Sequence, residues 1–199
     1  MVPTDRDSGM KILVFNLQVD ADGQLRIQPD ARLFPDSAVI QSHRPLFLPD
    51  FSEHFSASLS VAVRIGRLGK RVAVRYAHRY WNAVTVSMIT GSDSVNGAGA
   101  QIDGFDGAVA LGDWMDVDPG AQPLLQLSVE SDSESWDLPE IGEEISHTID
   151  QAITAASVYM TIKMGDIIAI TVGKPKAVKI GDIIKATING QELLVTKIK

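Results

Sequence analysis

The chain has 199 residues, 45% of them hydrophobic and 22% charged, with a formal net charge of −7. That length and balance predict a single globular domain able to bury a sizeable core. The absence of cysteine excludes disulfides, thiol catalysis and cysteine-type zinc sites, and no apolar run reaches the ~18 residues that a bilayer-spanning helix needs.

Charge is unevenly spread. Between Arg79 and Lys163 there is no Lys or Arg, while that interval holds fourteen Asp and Glu. From Lys163 onward there are seven Lys against Asp166, Asp182 and Glu192. The acidic middle argues against nucleic acid as a partner, because phosphate backbones are gripped by a basic face. The basic end suits a small anion, or an acidic face of the same or a neighbouring subunit. Residues 1–9 are polar and lack the apolar run of a signal peptide. They read as a disordered extension, and residues 10–199 as the domain. A cytoplasmic location, away from membranes, is the default expectation.

Along the chain, Lys11 to Leu17 predicts a buried strand, Ala21-Asp-Gly23 a turn, and Leu25 to Ile27 a short returning strand. Pro35 and Pro49 limit strand length between residues 33 and 51. The strongest signal is Phe55 to Ile65. Phe55, Ala57, Leu59, Val61, Val63 and Ile65 alternate with Ser56, Ser58, Ser60, Ala62 and Arg64. Side chains alternate faces along a strand, so one face is apolar and the other carries mostly hydroxyls.

Val72 to Trp81 predicts a helix, with Val72, Tyr76 and Tyr80 on one face and Arg71, Arg75 and Arg79 on another. Val84 to Ile89 is a second core strand. Residues 92–104 form a small-residue loop, and Asp103-Gly-Phe-Asp106 has the composition of a turn. Phe105 to Trp114 and Leu124 to Val129 read as strands. Asp137 and Glu140 open a helix as a capping box, followed by the stripe Ile141, Ile145, Ile149 and Ile153. His147 lies off that stripe and takes no ligand role. Lys163-Met-Gly-Asp-Ile-Ile168 and Lys179-Ile-Gly-Asp-Ile-Ile184 repeat one turn-to-strand pattern, and Asn189-Gly190 signals a closing hairpin.

Leu48-Pro-Asp-Phe-Ser52, the 55–65 strand, Arg64-Ile-Gly-Arg-Leu-Gly-Lys70, Ala77-His-Arg-Tyr80 and the 105–114 segment together resemble the fumarylacetoacetate hydrolase family, in its short bacterial single-domain branch. The resemblance implies an α+β, mainly β fold: a mixed β-roll or sandwich with flanking helices, usually assembled as a homodimer. It implies diketo-acid cleavage or rearrangement supported by a divalent cation. It also implies a Glu-x-Glu pair on the central strand and a third carboxylate, an Asp, at the end of the next one.

Those positions here are Ser58, Ser60 and Ile89. A lysine expected before Phe-Asp is Asp103, and the lysine expected before Pro35 is Phe34. Of the Asn-Tyr and downstream His and Glu that the resemblance implies near the N-terminus, Asn16 is the one echo, and no His or Glu follows before His43. The substrate-carboxylate loop is altered to Thr171-Val-Gly-Lys-Pro-Lys176. Mg²⁺ is held by carboxylates that offset its charge, which a serine hydroxyl does not do.

Two readings follow. In the first, the chain is a non-catalytic relative with no resident metal, binding a small ligand or a protein, or a degenerate paralogue, with Lys174 and Lys176 keeping the 171–176 segment open to a small anion. In the second, it is a divergent hydrolase, isomerase or decarboxylase that holds Mg²⁺ or Mn²⁺ with replacement carboxylates from Asp93, Asp103 or Asp106.

Overall fold

The structure, a computed structural model, describes residues 9–20, 24–92, 104–121, 123–132, 136, 138 and 144–199. In chain order its elements are β1 (Lys11–Val19), β2 (Leu25–Pro35), β3 (Val39–Gln41), β4 (Phe55–Ile65), α1 (Val74–Ala77), β5 (Trp81–Ser92), β6 (Val109–Leu111), β7 (Met115–Asp116), β8 (Leu127–Ser131), α2 (Glu144–Tyr159), β9 (Ile167–Val178), β10 (Ile183–Ile188) and β11 (Gln191–Lys197). Two sheets result, the larger mixed and the smaller antiparallel. Eight strands form one sheet in the order β2-β1-β9-β4-β5-β6-β3, with β7 also on β5, and a three-stranded sheet runs β11-β10-β8. This is the mainly β, α+β architecture that the resemblance implied.

The strand β4 occupies the residues its alternation predicts, and it lies between β5 and β9. Its odd-numbered side chains enter the main core. There they meet Ile145, Ile149, Ile153, Ala152 and Ala156 of α2, and Ile184, Ala186, Ile188, Leu193 and Leu194 of the small sheet. The i+4 spacing of the isoleucines places them on one face of α2, where each is fully buried. Removing each from water contributes about 1.5–3 kcal/mol. The even-numbered face of β4 is also shielded. Ala62 packs with Ile12, Val14, Phe34, Ile89 and Ala169 in a second, smaller cluster.

The repeated Lys-x-Gly-Asp-Ile-Ile segments fold alike. Asp166 Oδ2 accepts from Lys163 N at 2.7 Å, and Asp182 Oδ2 from Lys179 N at 2.9 Å. Gly165 and Gly181 take left-handed φ values of 90° and 103°, which a side chain would resist. The two copies differ in burial. Asp166 is 2% exposed and also accepts from both the backbone and the ammonium of Lys11, tying β1 to the start of β9. Asp182 has no such partner among the described residues. Asp166→Ala should therefore cost about 3 kcal/mol and Asp182→Ala about 1 kcal/mol, as charged hydrogen bonds exceed neutral ones. Urea unfolding of the two variants reads this difference directly.

Several elements depart from the sequence expectations. The helix expected over Val72 to Trp81 is a single four-residue turn, because Trp81 already begins β5 and Arg71 bends the chain at φ 50°. The Tyr76 side chain is exposed, its ring centre 4.8 and 5.1 Å from the guanidinium groups of Arg75 and Arg79, rather than joining a buried stripe. The 105–114 strand shrinks to β6, since residues 104–107 form a turn with Gly104 and Gly107 at positive φ. The 171–176 segment is not a loop: β9 runs through it, with a bulge opposite Ala57 to Leu59. The short strand expected at Leu25 is eleven residues long and reaches Pro35. The Asn189-Gly190 hairpin forms as expected, with φ of 53° and 77°. The turn at residues 21–23, the capping box at Asp137 and Glu140, and all but one of residues 1–9 lie outside the described residues.

Candidate functional site

The even-numbered face of β4 opens at one end into a cleft of about 380 Å³. The strands bring its lining together by register. Asn16 of β1 pairs with Thr171 of β9, Thr171 with Ser60 of β4, and Ser60 with Ser87 of β5. One row further out, Ser58 pairs with Ile89, and beyond that Ser56 pairs with Gly91. On the far side β2 adds Gln28 and Arg32, and the bulge of β9 adds Gly173, Lys174 and Pro175.

The cleft is polar, and among the described residues its charged lining is cationic. Arg32 and Lys174 are its only charged lining residues among those described, and no Asp, Glu or His joins them. Thr171 Oγ1 donates to Asn16 Oδ1 at 3.0 Å, which fixes the carboxamide at the rim. Beneath the lining, Ser60 and Ser87 are 0% and 1% exposed, and neither hydroxyl has a hydrogen-bond partner among the described residues. Buried polar atoms are nearly always paired, so two adjacent orphans mark donors without a recipient among the described residues.

Of the residues singled out in the sequence, Ser58, Ile89 and Lys174 line this cleft, and Ser60 lies in the row below. Asp106 does not: it is exposed in the 104–107 turn and absent from the lining. Asp93 and Asp103 lie outside the described residues. Arg32, Gln28 and Ser56 were missed. Arg32 lies two residues from Phe34 and shares that residue's face of β2, a relation hidden while the strand was expected to end at Ile27.

The side chains at positions 58, 60 and 89 do not fit a hard divalent cation. Two are neutral hydroxyls and the third is an alkyl group, whereas Mg²⁺ needs near-octahedral oxygen donors, with carboxylates among them. Among the described residues no group of three or more His, Asp and Glu converges to hold a metal. Among the described residues the lining brings carboxamides, hydroxyls and two cationic side chains.

A second titratable cluster lies elsewhere. The Asp150 carboxylate on α2 accepts from Trp81 Nε1 at 3.2 Å, in a small cavity shared with His78, His147 and Ser146. Burial pushes its pKa above the ordinary carboxylate value, opposed by the Trp81 hydrogen bond and by the two histidines. The native state thus holds this proton more tightly than the unfolded chain does. Its contribution to stability is present below the ordinary carboxylate pKa and is lost as pH rises through the raised one. Asp150→Asn, which keeps an acceptor for Trp81, should raise the melting temperature at about pH 7, and the gain should vanish below about pH 4. Thermal melts across that range check the sign.

Comparison with known proteins gives a consistent picture. The family model described as fumarylacetoacetate (FAA) hydrolase C-terminal matches residues 17–199. None of the curated proteins compared matches the chain. Among solved structures, 5-carboxymethyl-2-hydroxymuconate delta-isomerase from Mycobacterium smegmatis aligns with a TM-score of 0.77 at 22% identity, over 94% of this chain and 78% of that one. A 2-hydroxyhepta-2,4-diene-1,7-dioate isomerase from Mycobacterium marinum aligns at 0.76 and 22% identity, over 94% and 73%. Fumarylpyruvate hydrolase from Pseudomonas aeruginosa, solved with Mn²⁺ and pyruvate, aligns at 0.76 and 15% identity, over 96% and 88%. At these identities the likeness to solved structures speaks for the fold. Among the described residues no helix is long and apolar enough to cross a membrane.

Proposed function

The chain belongs to the fumarylacetoacetate hydrolase family, and from that membership we propose a member that works without the divalent cation: a small-ligand-binding relative rather than a C–C hydrolase or isomerase. The observation that carries this reading is the register of three side chains. Ser58, Ser60 and Ile89 meet on one face of adjacent strands, where the resemblance calls for three carboxylates. Without anionic ligands there is no means to fix a Lewis acid against a developing enolate. A shared fold does not carry an activity whose site chemistry has changed. The competing reading, a rebuilt carboxylate site, draws no support from Asp106, which is exposed and does not line the cleft.

The test is turnover. Purified protein with millimolar Mn²⁺ or Mg²⁺ should hydrolyse fumarylpyruvate and decarboxylate oxaloacetate no faster than the metal in buffer alone. A rate that rises with protein concentration and disappears with EDTA would sink the proposal.

A further inference from the structure

We propose that the two neighbouring loops carrying Leu68 and Met164 form a docking face for an anionic lipid surface. Their apolar side chains enter the boundary between headgroups and acyl chains, and the cations around them meet lipid phosphates. The residues concerned lie outside the cleft lining, and the inference does not depend on what the cleft binds.

The two loops are joined by backbone pairing. Gly69 and Ile162 each donate to the other's carbonyl at 2.9 Å, and Gly165 N donates to Ile65 O at 2.8 Å. Gly69 is buried, and a Cβ there would lie 2.6 Å from the Tyr80 ring and 2.8 Å from Val72 Cγ2. The loops are therefore fixed, yet they hold apolar side chains out into solvent. Leu68 is 67% exposed and Met164 75%, and with Ile180 they are the most exposed large hydrophobic side chains among the described residues. Val158, at the end of α2, is exposed beside them, where Lys70 Nζ donates to its carbonyl at 3.1 Å. Single exposed apolar residues are ordinary, but three on adjoining segments with cations between them mark a contact face.

The charge around these three has one sign. Residues 65–82 and 154–165 hold Arg67, Lys70, Arg71, Arg75, Arg79 and Lys163 and no Asp or Glu, in a chain whose net charge is −7. All six are exposed, and none forms an ion pair among the described residues. Arg71 N donates to Ser157 O at 2.9 Å, which brings this arginine-rich run against the end of α2. The sequence expectation of a location away from membranes looked for spanning segments, which a peripheral contact does not need.

A lipid surface uses both features of the face. A fluid bilayer takes in separate protruding side chains without a shape match, and anionic headgroups attract the Lys and Arg that flank them. Long cationic side chains can reach phosphates while the apolar tips lie deeper. A nucleic acid would use the cations and leave aliphatic Leu68, Met164 and Val158 in water. An acidic protein would need a fitted pocket for each tip.

The experiment is co-sedimentation of the full chain with phosphatidylcholine vesicles, with and without about one-third phosphatidylglycerol. Partitioning onto the anionic vesicles should be at least about tenfold stronger, and should fall as salt is raised from about 0.1 M to about 0.5 M. Leu68→Asp with Met164→Asp, and separately Arg67→Glu with Lys163→Glu, should each weaken it about tenfold. All four side chains are exposed, so both variants should melt as wild type does. Ile180→Asp is the control. Ile180 is 74% exposed in the twin Lys-x-Gly-Asp turn, at the far end of the twelve-residue β9, about 40 Å away. This substitution should leave partitioning unchanged. Equal partitioning onto both kinds of vesicle would overturn the inference, as would loss of binding in Ile180→Asp. Binding that survives Leu68→Asp with Met164→Asp would overturn it too, because no apolar side chain would then be entering the bilayer. A wild-type protein that ignores the anionic vesicles but binds a DNA duplex, or whose dimer those two aspartates split, would assign the face to nucleic acid or to a second copy of the chain instead. None of these outcomes bears on the metal-free reading of the cleft.

Discussion

Putting three carboxylates back, as Ser58→Glu, Ser60→Glu and Ile89→Asp together, should turn this cleft into a Mn²⁺ site. Ser58 and Ser60 lie two residues apart on one face of β4, and Ile89 is directly across from Ser58 on β5. Neighbouring strands are spaced by about 4.8 Å and i, i+2 side chains by about 7 Å. Three carboxylates on that footprint can converge on one ion at about 2.1 Å.

Without metal the variant should be destabilised by roughly 3–5 kcal/mol, because like charges would be buried unpaired where the wild-type positions are 8%, 0% and 2% exposed. Mn²⁺ at a hundred times its dissociation constant should return about 2.7 kcal/mol of this. Thermal melts with and without Mn²⁺ read both parts, and the wild-type protein should not shift. If the variant responds to Mn²⁺ no more than wild type does, these positions are not where a cation would sit.

The second large effect is structural. Gly112→Ala should destabilise the protein by about 3 kcal/mol, at the upper end of what overpacking usually costs. A Cβ at this position would lie 2.6 Å from Thr85 Oγ1, 2.8 Å from Leu193 O and 2.9 Å from Val86 O. Two of those atoms are backbone carbonyls and have no freedom to withdraw. The crowding has a purpose in the fold. Gly112 N donates to Val86 O at 2.9 Å and Asp113 N to Leu193 O at 2.8 Å, so β5 and β11 of the two sheets are joined through this pair of residues. Trimming the nearby hydroxyl with Thr85→Val should not restore stability, since the carbonyl contacts remain. Chemical denaturation of Gly112→Ala and of the double variant distinguishes backbone crowding from a side-chain clash.

The sequence was most readable where a single period dominates. Alternation gave β4 its bounds and its two faces, and the Asn-Gly pair gave the last hairpin. The isoleucine stripe gave the buried face of α2. It was least readable where tertiary pairing overrides local signals. Leu25 to Ile27 read as a short strand, whereas β2 continues to Pro35 across a register shift opposite Phe15 and Leu17, so the strand that delivers Gln28 and Arg32 to the cleft went unrecognised. The 72–81 segment has helical spacing, yet Trp81 and the residues after it are drawn into β5 by eleven register pairs with β4. Lys174 was readable as a candidate because its local sequence is basic. Arg32 lies 142 positions away in the chain and reaches the same cleft only through the β2-β1-β9 order of the sheet. The substituted positions 58, 60 and 89 were visible through the resemblance alone, because nothing in a Ser-x-Ser strand marks what is missing.

The most direct measurement of the central claim is anomalous scattering from crystals soaked in Mn²⁺. The account predicts no ordered ion on the hydroxyl-bearing side of β4, with Ser58 and Ser60 free of metal contact. A fully occupied, six-coordinate Mn²⁺ resting against those two serines would contradict it.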